Sequence, residues 1–446
     1  MQGLIARAYR CFRKSERGAS AMIFALFLPV LMLLVGGAID ISRLMQLRGE
    51  IQDAADAASV GAVGVTSAAF QAGIAMAGDG PIAAGATQAQ NIFNSDLPVN
   101  GDLSGTAFTA NVSKTGTTIT SVISVKSTYK SAILGLFAPA FANMPMTVTS
   151  TSSATVPPYI DFYLLLDNTP SMGLGATTSD ITALVTATKS MPSDANCAFA
   201  CHETDKPGTD YYALAKKLGI TMRIDVVRQA TQNLMTTATN TESLPNQYRM
   251  AIYDFGADAT TLSATAPGAT VISALNANLS TAATNAGSID LMTVPKQNYN
   301  NDEQTNYTSV LADMNLRIPT AGGGLTAASP QEVLFMVADG VNDGYDCAYG
   351  GCRRITPIDN TTCTVLKARG VRIAVLYTTY LMLTPGQNSF FDSNVKPLLT
   401  PTDKVTAAMQ SCASPGLFFA VSPSEGISDA MTALFKKVVS VVRINS

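Results

Sequence analysis

Apolar and polar positions along the chain fall into distinct regimes. From Ala19 to Ile39 runs an uncharged stretch holding Phe24, Leu26, Phe27, Leu28, Val30, Leu31, Leu33, Leu34 and Val35. Its 21 residues match the hydrocarbon thickness of a bilayer if helical. The helical signal then continues over 40–66 with a changed periodicity. Leu44, Leu47, Ile51, Ala54 and Ala58 recur at spacings of three and four, with Arg48, Glu50, Gln52, Asp53 and Asp56 between them. Such a narrow stripe packs a helix closely, either on its own domain or against partner helices. Residues 67–157 are rich in Ala, Gly, Ser and Thr. Alternation at 118–126 and 146–155 predicts strands, with a helical piece at 132–141. Pro157-Pro158 marks a boundary.

Beyond it, short continuous apolar runs alternate with amphipathic helices. Strands are predicted at 159–166, 248–255, 333–338, 371–377 and 417–421, and helices at 211–237, 305–316, 361–369 and 424–442. Ser422-Pro423-Ser424-Glu425 has a capping-box spacing that would start the last helix. Strands without alternation, separated by helices, are buried on both faces. The expected architecture is therefore α/β with a mainly parallel central sheet.

Charge adds orientation to this plan. Arg7, Arg10, Arg13, Lys14 and Arg17 precede the apolar run against one acid, Glu16. A basic flank keeps the N-terminus cytoplasmic and places the remainder across the membrane. The division expected is a cytoplasmic basic tail at 1–18, a membrane helix at 19–39, its continuation at 40–66, a small α+β periplasmic stalk at 67–157 and an α/β domain at 158–446. A cleaved signal peptide is the rival, with Gly36-Gly37-Ala38 as a small-residue cleavage site. With 14% charged residues and a net charge of -3, the chain offers no basic footprint for nucleic acid. Cys11 precedes the span, whereas Cys197, Cys201, Cys347, Cys352, Cys363 and Cys412 all follow it. An even set beyond the span fits disulfides in an oxidising compartment. The short loops suggest Cys197–Cys201 and Cys347–Cys352, which leaves Cys363–Cys412, among 15 connectivities that six cysteines permit.

Candidate chemistry concentrates after the first predicted strand of the α/β region. There Asp167, Thr169 and Ser171 occupy alternate positions, so extended backbone turns all three toward the strand's carboxyl end. Carboxylate and hydroxyl oxygens suit a hard cation, foremost Mg²⁺, with Mn²⁺ and Ca²⁺ as alternatives. The same residues also make ordinary turn hydrogen bonds. Two further segments extend the pattern. The strand at 333–338 runs into Asp339-Gly340, and Thr305 opens a helix after the polar run 301–304.

Two family resemblances rest on these residues. Arg17-Gly18-Ala19-Ser20-Ala21, the apolar span, Asp40-Ile41-Ser42-Arg43 and Ile51-Gln52-Asp53-Ala54-Ala55-Asp56-Ala57-Ala58 resemble the N-terminal segment of TadE/TadG-like proteins of Flp/Tad pilus assembly. Ile23 stands where type IV prepilins carry the Glu that follows their processing glycine, so the likeness is to the larger TadG-type anchor. The three loops resemble the metal ion-dependent adhesion site of a von Willebrand factor A domain, a Rossmann-like fold. Carried over by position, the resemblance implies a divalent-cation site at Asp167, Thr169, Ser171, Thr305 and Asp339. Thr169 replaces the commoner Ser and keeps the hydroxyl.

Together they imply a non-enzymatic, single-pass inner-membrane protein with a periplasmic C-terminal domain. It would bind pilus-assembly proteins or pilin-like subunits, a partner carboxylate completing the metal shell, and contribute to adhesion. Two alternatives stay open. One is an adhesin released from its N-terminal segment. The other is a periplasmic redox or haem protein using Cys197, Cys201 and His202, the chain's one histidine.

Overall fold

The computed structural model describes residues 17–441 apart from 77, 98–100, 192–194, 200–201, 204, 206–209, 256–267, 297–304, 346–352, 381, 384–388 and 423–425. The chain divides into two compact units, Met1–Val156 and Pro157–Ser446.

In the first unit one helix, α1, runs unbroken over Arg17–Val63, 47 residues with Pro29 inside. Its first part exposes large apolar side chains from Met22 to Val35, and it is apolar enough to cross a membrane. Its second part lies on a four-stranded antiparallel sheet. That sheet comprises β1 (Gly80–Pro81), β2 (Leu103–Thr115), β3 (Thr118–Lys130) and β4 (Asn143–Thr155) in sequential order. The narrow stripe packs on its own domain. Leu47, Ile51, Ala54, Ala55 and Ala58 are buried with Ile119, Ile123, Val125, Tyr129 and Val148, while Asp53, Asp56 and Ala57 face outward. Alanines at the contact let backbone approach backbone, so the Gln-Asp-Ala-Ala-Asp-Ala-Ala run reads as packing. Helices Ala68–Ala75 and Ala83–Asp96 complete this core. Buried Lys114 donates to the carbonyls of Gly73 and Met76, closing the last turn of the former.

β2 was not predicted. Its burial is irregular along its length and its register shifts between Ser104 and Ala107, so it lacks a clean period of two. The helical piece at 132–141 is two short turns, Leu134–Phe137 and Pro139–Phe141.

The second unit is built on a six-stranded sheet. Its strands are β5 (Ile160–Leu166), β6 (Tyr248–Asp254), β7 (Thr270–Asn276), β8 (Gln331–Ala338), β9 (Arg372–Thr378) and β10 (Phe418–Val421). Their spatial order is β7-β6-β5-β8-β9-β10. All neighbouring pairs are parallel except β6–β7, so the sheet is mainly parallel with one antiparallel edge. β7 escaped the sequence pattern because it is a half-exposed edge rich in Thr, Ser and Asn. Successive residues of β5 alternate between two cores. Phe162, Leu164 and Leu166 meet helices Arg223–Thr241 and Ile427–Val441, while Tyr163 and Leu165 meet Tyr307–Arg317 and Lys404–Cys412.

The helix expected over 211–237 is two helices, Tyr211–Leu218 and Arg223–Thr241. Gly219 at φ 69° caps the first in the left-handed region, where glycine is strain-free. Cys363 and Cys412 form a disulfide joining helix Thr361–Ala368 to Lys404–Cys412 across 49 residues, a constraint worth roughly 4 kcal/mol on the chain-entropy account. Cys201, Cys347 and Cys352 lie outside the described residues, and with them the other two expected pairings. The capping-box residues 423–425 lie outside them as well.

Candidate metal centre

Counted along the chain, the sheet order of the second unit is 3-2-1-4-5-6. The direction of winding reverses between its first and fourth strands, β5 and β8. Ligand sites of doubly wound folds lie at that switch point, beyond the carboxyl ends of the strands. Leu166 pairs with Val337, and the amide of Asp167 donates to the carbonyl of Val337 at 2.9 Å. Asp167 and Asp339 therefore leave the sheet side by side, and both are fully buried.

Each carboxylate is held by its own loop and by one tyrosine. Asp167 Oδ1 accepts from the Thr169 amide at 2.9 Å and from Thr169 Oγ1 at 2.7 Å, and Thr169 Oγ1 lies 3.2 Å from Ser171 Oγ. These are the hydrogen bonds of the turn reading, and they bring the side-chain oxygens of Asp167, Thr169 and Ser171 together. Pro170 begins a short 3₁₀ turn over Pro170–Gly173 and holds the preceding Thr169 extended. Asp167 Oδ2 accepts from the Tyr307 hydroxyl at 3.3 Å, which in turn accepts from the Gly340 amide at 2.8 Å. Asp339 Oδ1 accepts from the Val341 amide at 3.2 Å, and its Oδ2 from the Tyr380 hydroxyl at 2.6 Å. Gly340 sits at φ +76°, and a Cβ there would meet Met409 Cγ at 2.6 Å, so glycine is required for this turn.

Thr305 is buried just ahead of the helix Tyr307–Arg317 and exchanges backbone hydrogen bonds with Asp343 at 2.9 and 2.8 Å. The helix expected over 305–316 starts at Tyr307, and Asn306 caps it, its side chain accepting from the Ser309 amide at 3.0 Å, because a short amide side chain reaches the third amide of the turn. The bridge ties Thr305 to the strand that follows Asp339, and Thr305 stands two residues before Tyr307, whose hydroxyl bonds Asp167.

Burial, and after it the charge of Asp339, pushes the Asp167 carboxyl well above the ordinary aspartate range. Burial with these two carboxylates beside it likewise raises the Tyr307 and Tyr380 hydroxyls far above a free phenol, so both stay protonated and donate. Among the described residues neither carboxylate has a cation within ion-pair distance. Two buried carboxylates in need of a counter-charge, flanked by hydroxyl oxygens, fit a divalent cation. The described residues contain no group of three or more His, Cys, Asp or Glu that could hold a metal, so such a site would draw on hydroxyls.

The sequence pattern missed two charged groups. Arg223, first residue of its helix, is completely buried. Its Nη2 donates to the Thr379 carbonyl at 2.7 Å, its guanidinium lies 5.3 Å from the Tyr380 ring centre, and its Nε and Nη1 have no hydrogen-bond partner among the described residues. Burial depresses its pKa, and the charges of Asp339 and then Asp167 work against that, so a fixed positive charge stands near both carboxylates. The only sequence signal is an arginine inside the apolar stretch Met222-Arg223-Ile224. Asp254, at the carboxyl end of β6 opposite Leu166, is buried and pushed up to about 7 by that burial.

His202, named for the redox alternative, has Nδ1 2.8 Å from Asp210 Oδ2 and packs edge-on against Tyr212.

The strand order 3-2-1-4-5-6 with one antiparallel edge makes the second unit a doubly wound, Rossmann-like α/β domain, the architecture that the resemblance to von Willebrand factor A domains implies. Solved structures similar to the chain include proximal thread matrix protein 1 from the mussel byssus, at 10% identity and TM-score 0.33, covering 64% of this chain and 46% of that one. The same mussel protein with a zinc-occupied MIDAS motif matches at 12% identity and TM-score 0.32, with the same coverage. The vWF domain of the type V pili tip protein Mfa5 from Porphyromonas gingivalis matches at 7% identity and TM-score 0.35, covering 66% of this chain and 99% of that one. The chain thus spans less than half the length of the mussel protein. No curated protein matches it. Residues 18–72 match the family model described as putative Flp pilus-assembly TadE/G-like.

Proposed function

We propose that this chain is a non-enzymatic assembly or anchoring protein of an Flp/Tad pilus that binds protein partners through a divalent cation, Mg²⁺ foremost, at the switch point. The observation that carries the reading is the side-by-side burial of Asp167 and Asp339 with Thr169 and Ser171 in the same polar loop. Asp167, Thr169, Ser171, Thr305 and Asp339 would hold the ion. When bound, the ion supplies an electrophilic centre with a position open to a partner's carboxylate.

The chain's own residues do the rest. Thr169 and Tyr307 fix the Asp167 carboxylate, Tyr380 fixes that of Asp339, and Arg223 lowers the cost of keeping both ionised. The match of residues 18–72 to the TadE/G-like family model supports a pilus-system partner. The apolar first part of α1 and the basic residues before it support a single span of the bacterial inner membrane, with the N-terminus cytoplasmic and the residues after the span periplasmic. In this division residues 1–18 are the tail, 19–39 the span, 40–66 its continuation, 67–157 the stalk and 158–446 the binding domain.

The test is pilus formation and surface attachment in cells carrying Asp167→Ala at normal protein levels. Loss of fibres ties the site to assembly, and fibres that attach poorly tie it to adhesion. Unchanged fibres and attachment would sink the reading.

A further inference from the structure

The connection between β3 and β4 is chemically unlike the rest of its unit. From Ala132 to Ala142 it carries eleven residues without a polar or charged side chain, Ala-Ile-Leu-Gly-Leu-Phe-Ala-Pro-Ala-Phe-Ala. Leu136, Phe137 and Phe141 are 79%, 43% and 53% exposed. An exposed apolar tip of this kind needs a cover, and its position along α1 indicates which.

α1 and β3 act as two rulers laid side by side. Ser59 of α1 meets the Ser121 carbonyl, and Asp40 meets the Tyr129 hydroxyl at 3.0 Å. The helix interval between those contacts is roughly 28 Å at its rise per residue. The strand interval is roughly 27 Å. The two run in step, so β3 delivers its end, and the connection after it, to the level of Asp40. There the carboxylate of Asp40 accepts from the amides of Ala132, Ile133 and Leu134 at 2.9, 3.0 and 2.6 Å and fixes the connection to the helix. Ile133 and Leu134 then pack on Gly36 and Gly37, inside the apolar run. A Cβ at Gly36 would come within 2.3 Å of Ile133 Cγ2, so the approach depends on glycine.

We infer that the Ile133–Phe141 tip is a second membrane contact, inserted into the boundary of the leaflet from which α1 emerges. This rests on the reading of 19–39 as a membrane span. The occupant is lipid because the tip is continuous with the exposed apolar surface of that span, from Met22 to Val35. Exposed Lys130, just before the connection, suits the headgroup level. Asp40 then has a definite task. It ties the span and the tip into one rigid foot, so the first unit meets the bilayer at two points and α1 cannot swivel freely.

The chain has no tryptophan, so single substitutions report cleanly. Full-length Phe137→Trp, Leu31→Trp and Val122→Trp are each reconstituted into phosphatidylcholine–phosphatidylglycerol vesicles with or without brominated acyl chains. Leu31 is exposed in the span, and Val122 is exposed on β3 near the level of Ser59. The expected result is strong bromolipid quenching of Leu31→Trp and Phe137→Trp, blue-shifted emission from both, and no quenching of Val122→Trp. If Leu31→Trp is quenched while Phe137→Trp behaves like Val122→Trp, the tip is in water and the inference is overturned. Blue-shifted but unquenched Phe137→Trp would mean a protein cover and would overturn it too. Unquenched Leu31→Trp would instead remove the spanning reading, and the tip's membrane contact with it.

Discussion

Asp167→Asn separates a metal centre from a capped turn, because the two make opposite demands on the same carboxylate. The amide is isosteric, and its oxygen still accepts from the Thr169 amide and hydroxyl, which bond Oδ1 in the native loop. What is lost is the charge, together with the acceptor for the Tyr307 hydroxyl at 3.3 Å, a hydrogen bond to a charged oxygen worth roughly 2 kcal/mol. What is relieved is repulsion from Asp339. At an effective dielectric near 20, two carboxylates ~5 Å apart repel by roughly 3 kcal/mol, before Arg223 offsets part of it. In EDTA the variant should therefore unfold no earlier than the native protein and up to about 1 kcal/mol later. With Mg²⁺ at ~100 times its dissociation constant, the native protein gains about 2.7 kcal/mol and the variant gains little. For a domain of this size that is a shift of roughly 5 °C, so the ranking in EDTA reverses in Mg²⁺. Tyrosine emission of the full chain in detergent micelles follows the transition. Of 14 tyrosines only Tyr9 and Tyr129 lie outside the second unit. A variant several kcal/mol less stable in EDTA, with equal Mg²⁺ shifts for both proteins, would refute the metal reading and leave Asp167 as a turn residue.

Two further outcomes follow from the surrounding charges. Arg223→Gln should widen the difference in melting temperature between Mg²⁺ and EDTA. It removes the standing cation near Asp167 and Asp339, so metal-free protein loses stability while the ion binds more tightly; an unchanged difference would show that Arg223 does not sense the site. The second outcome concerns pH. Glu332 pairs in register with Asp161, and burial with the Asp161 charge pushes it up to about 7. The folded state then holds a proton that the unfolded state has released above the ordinary glutamate range. Stability falls as pH rises from that range through about 7, on the order of 2–3 kcal/mol for this group. Urea midpoints at pH 5 and 8 in saturating Mg²⁺ should show that slope, and Glu332→Gln should reduce it while leaving the share of Asp254, which is raised to about 7 as well; an equal slope in the variant would exclude Glu332 as a source.

The arrangement of Asp161, Arg249 and Glu332 shows how the opening strand is anchored away from the site. Arg249 on β6 holds Asp161 bidentately at 2.7 and 2.6 Å, and Glu332 on β8 flanks it on the other side. The polar cluster sits at the amino edge of the sheet and the candidate metal centre at the carboxyl edge. The apolar residues from Phe162 to Leu166 fill the interval.

The sequence by itself determined whatever depends on local period and neighbouring residues. The uncharged run in α1, the alanine stripe after it, the buried strands β5, β6, β8 and β9, the edge strand β10, and the polar loops at Asp167 and Asp339 are all legible as patterns. Burial on both faces or on one face imposes a period directly on the residues that meet it. The half-exposed strands β2 and β7 left no such period, and the break at Gly219 lay inside an otherwise helical pattern. Only the tertiary structure decided which loops stand together. Sheet order sets β5 beside β8 although their residues are far apart in the chain, and that adjacency alone joins Asp167 to Asp339. Arg223, Tyr307 and Tyr380 reach the same point from three other segments, and Asp40 finds the turn after β3 at a sequence distance of more than ninety residues. No local pattern encodes such meetings, because they are fixed by the packing of whole elements and not by the spacing within any one of them.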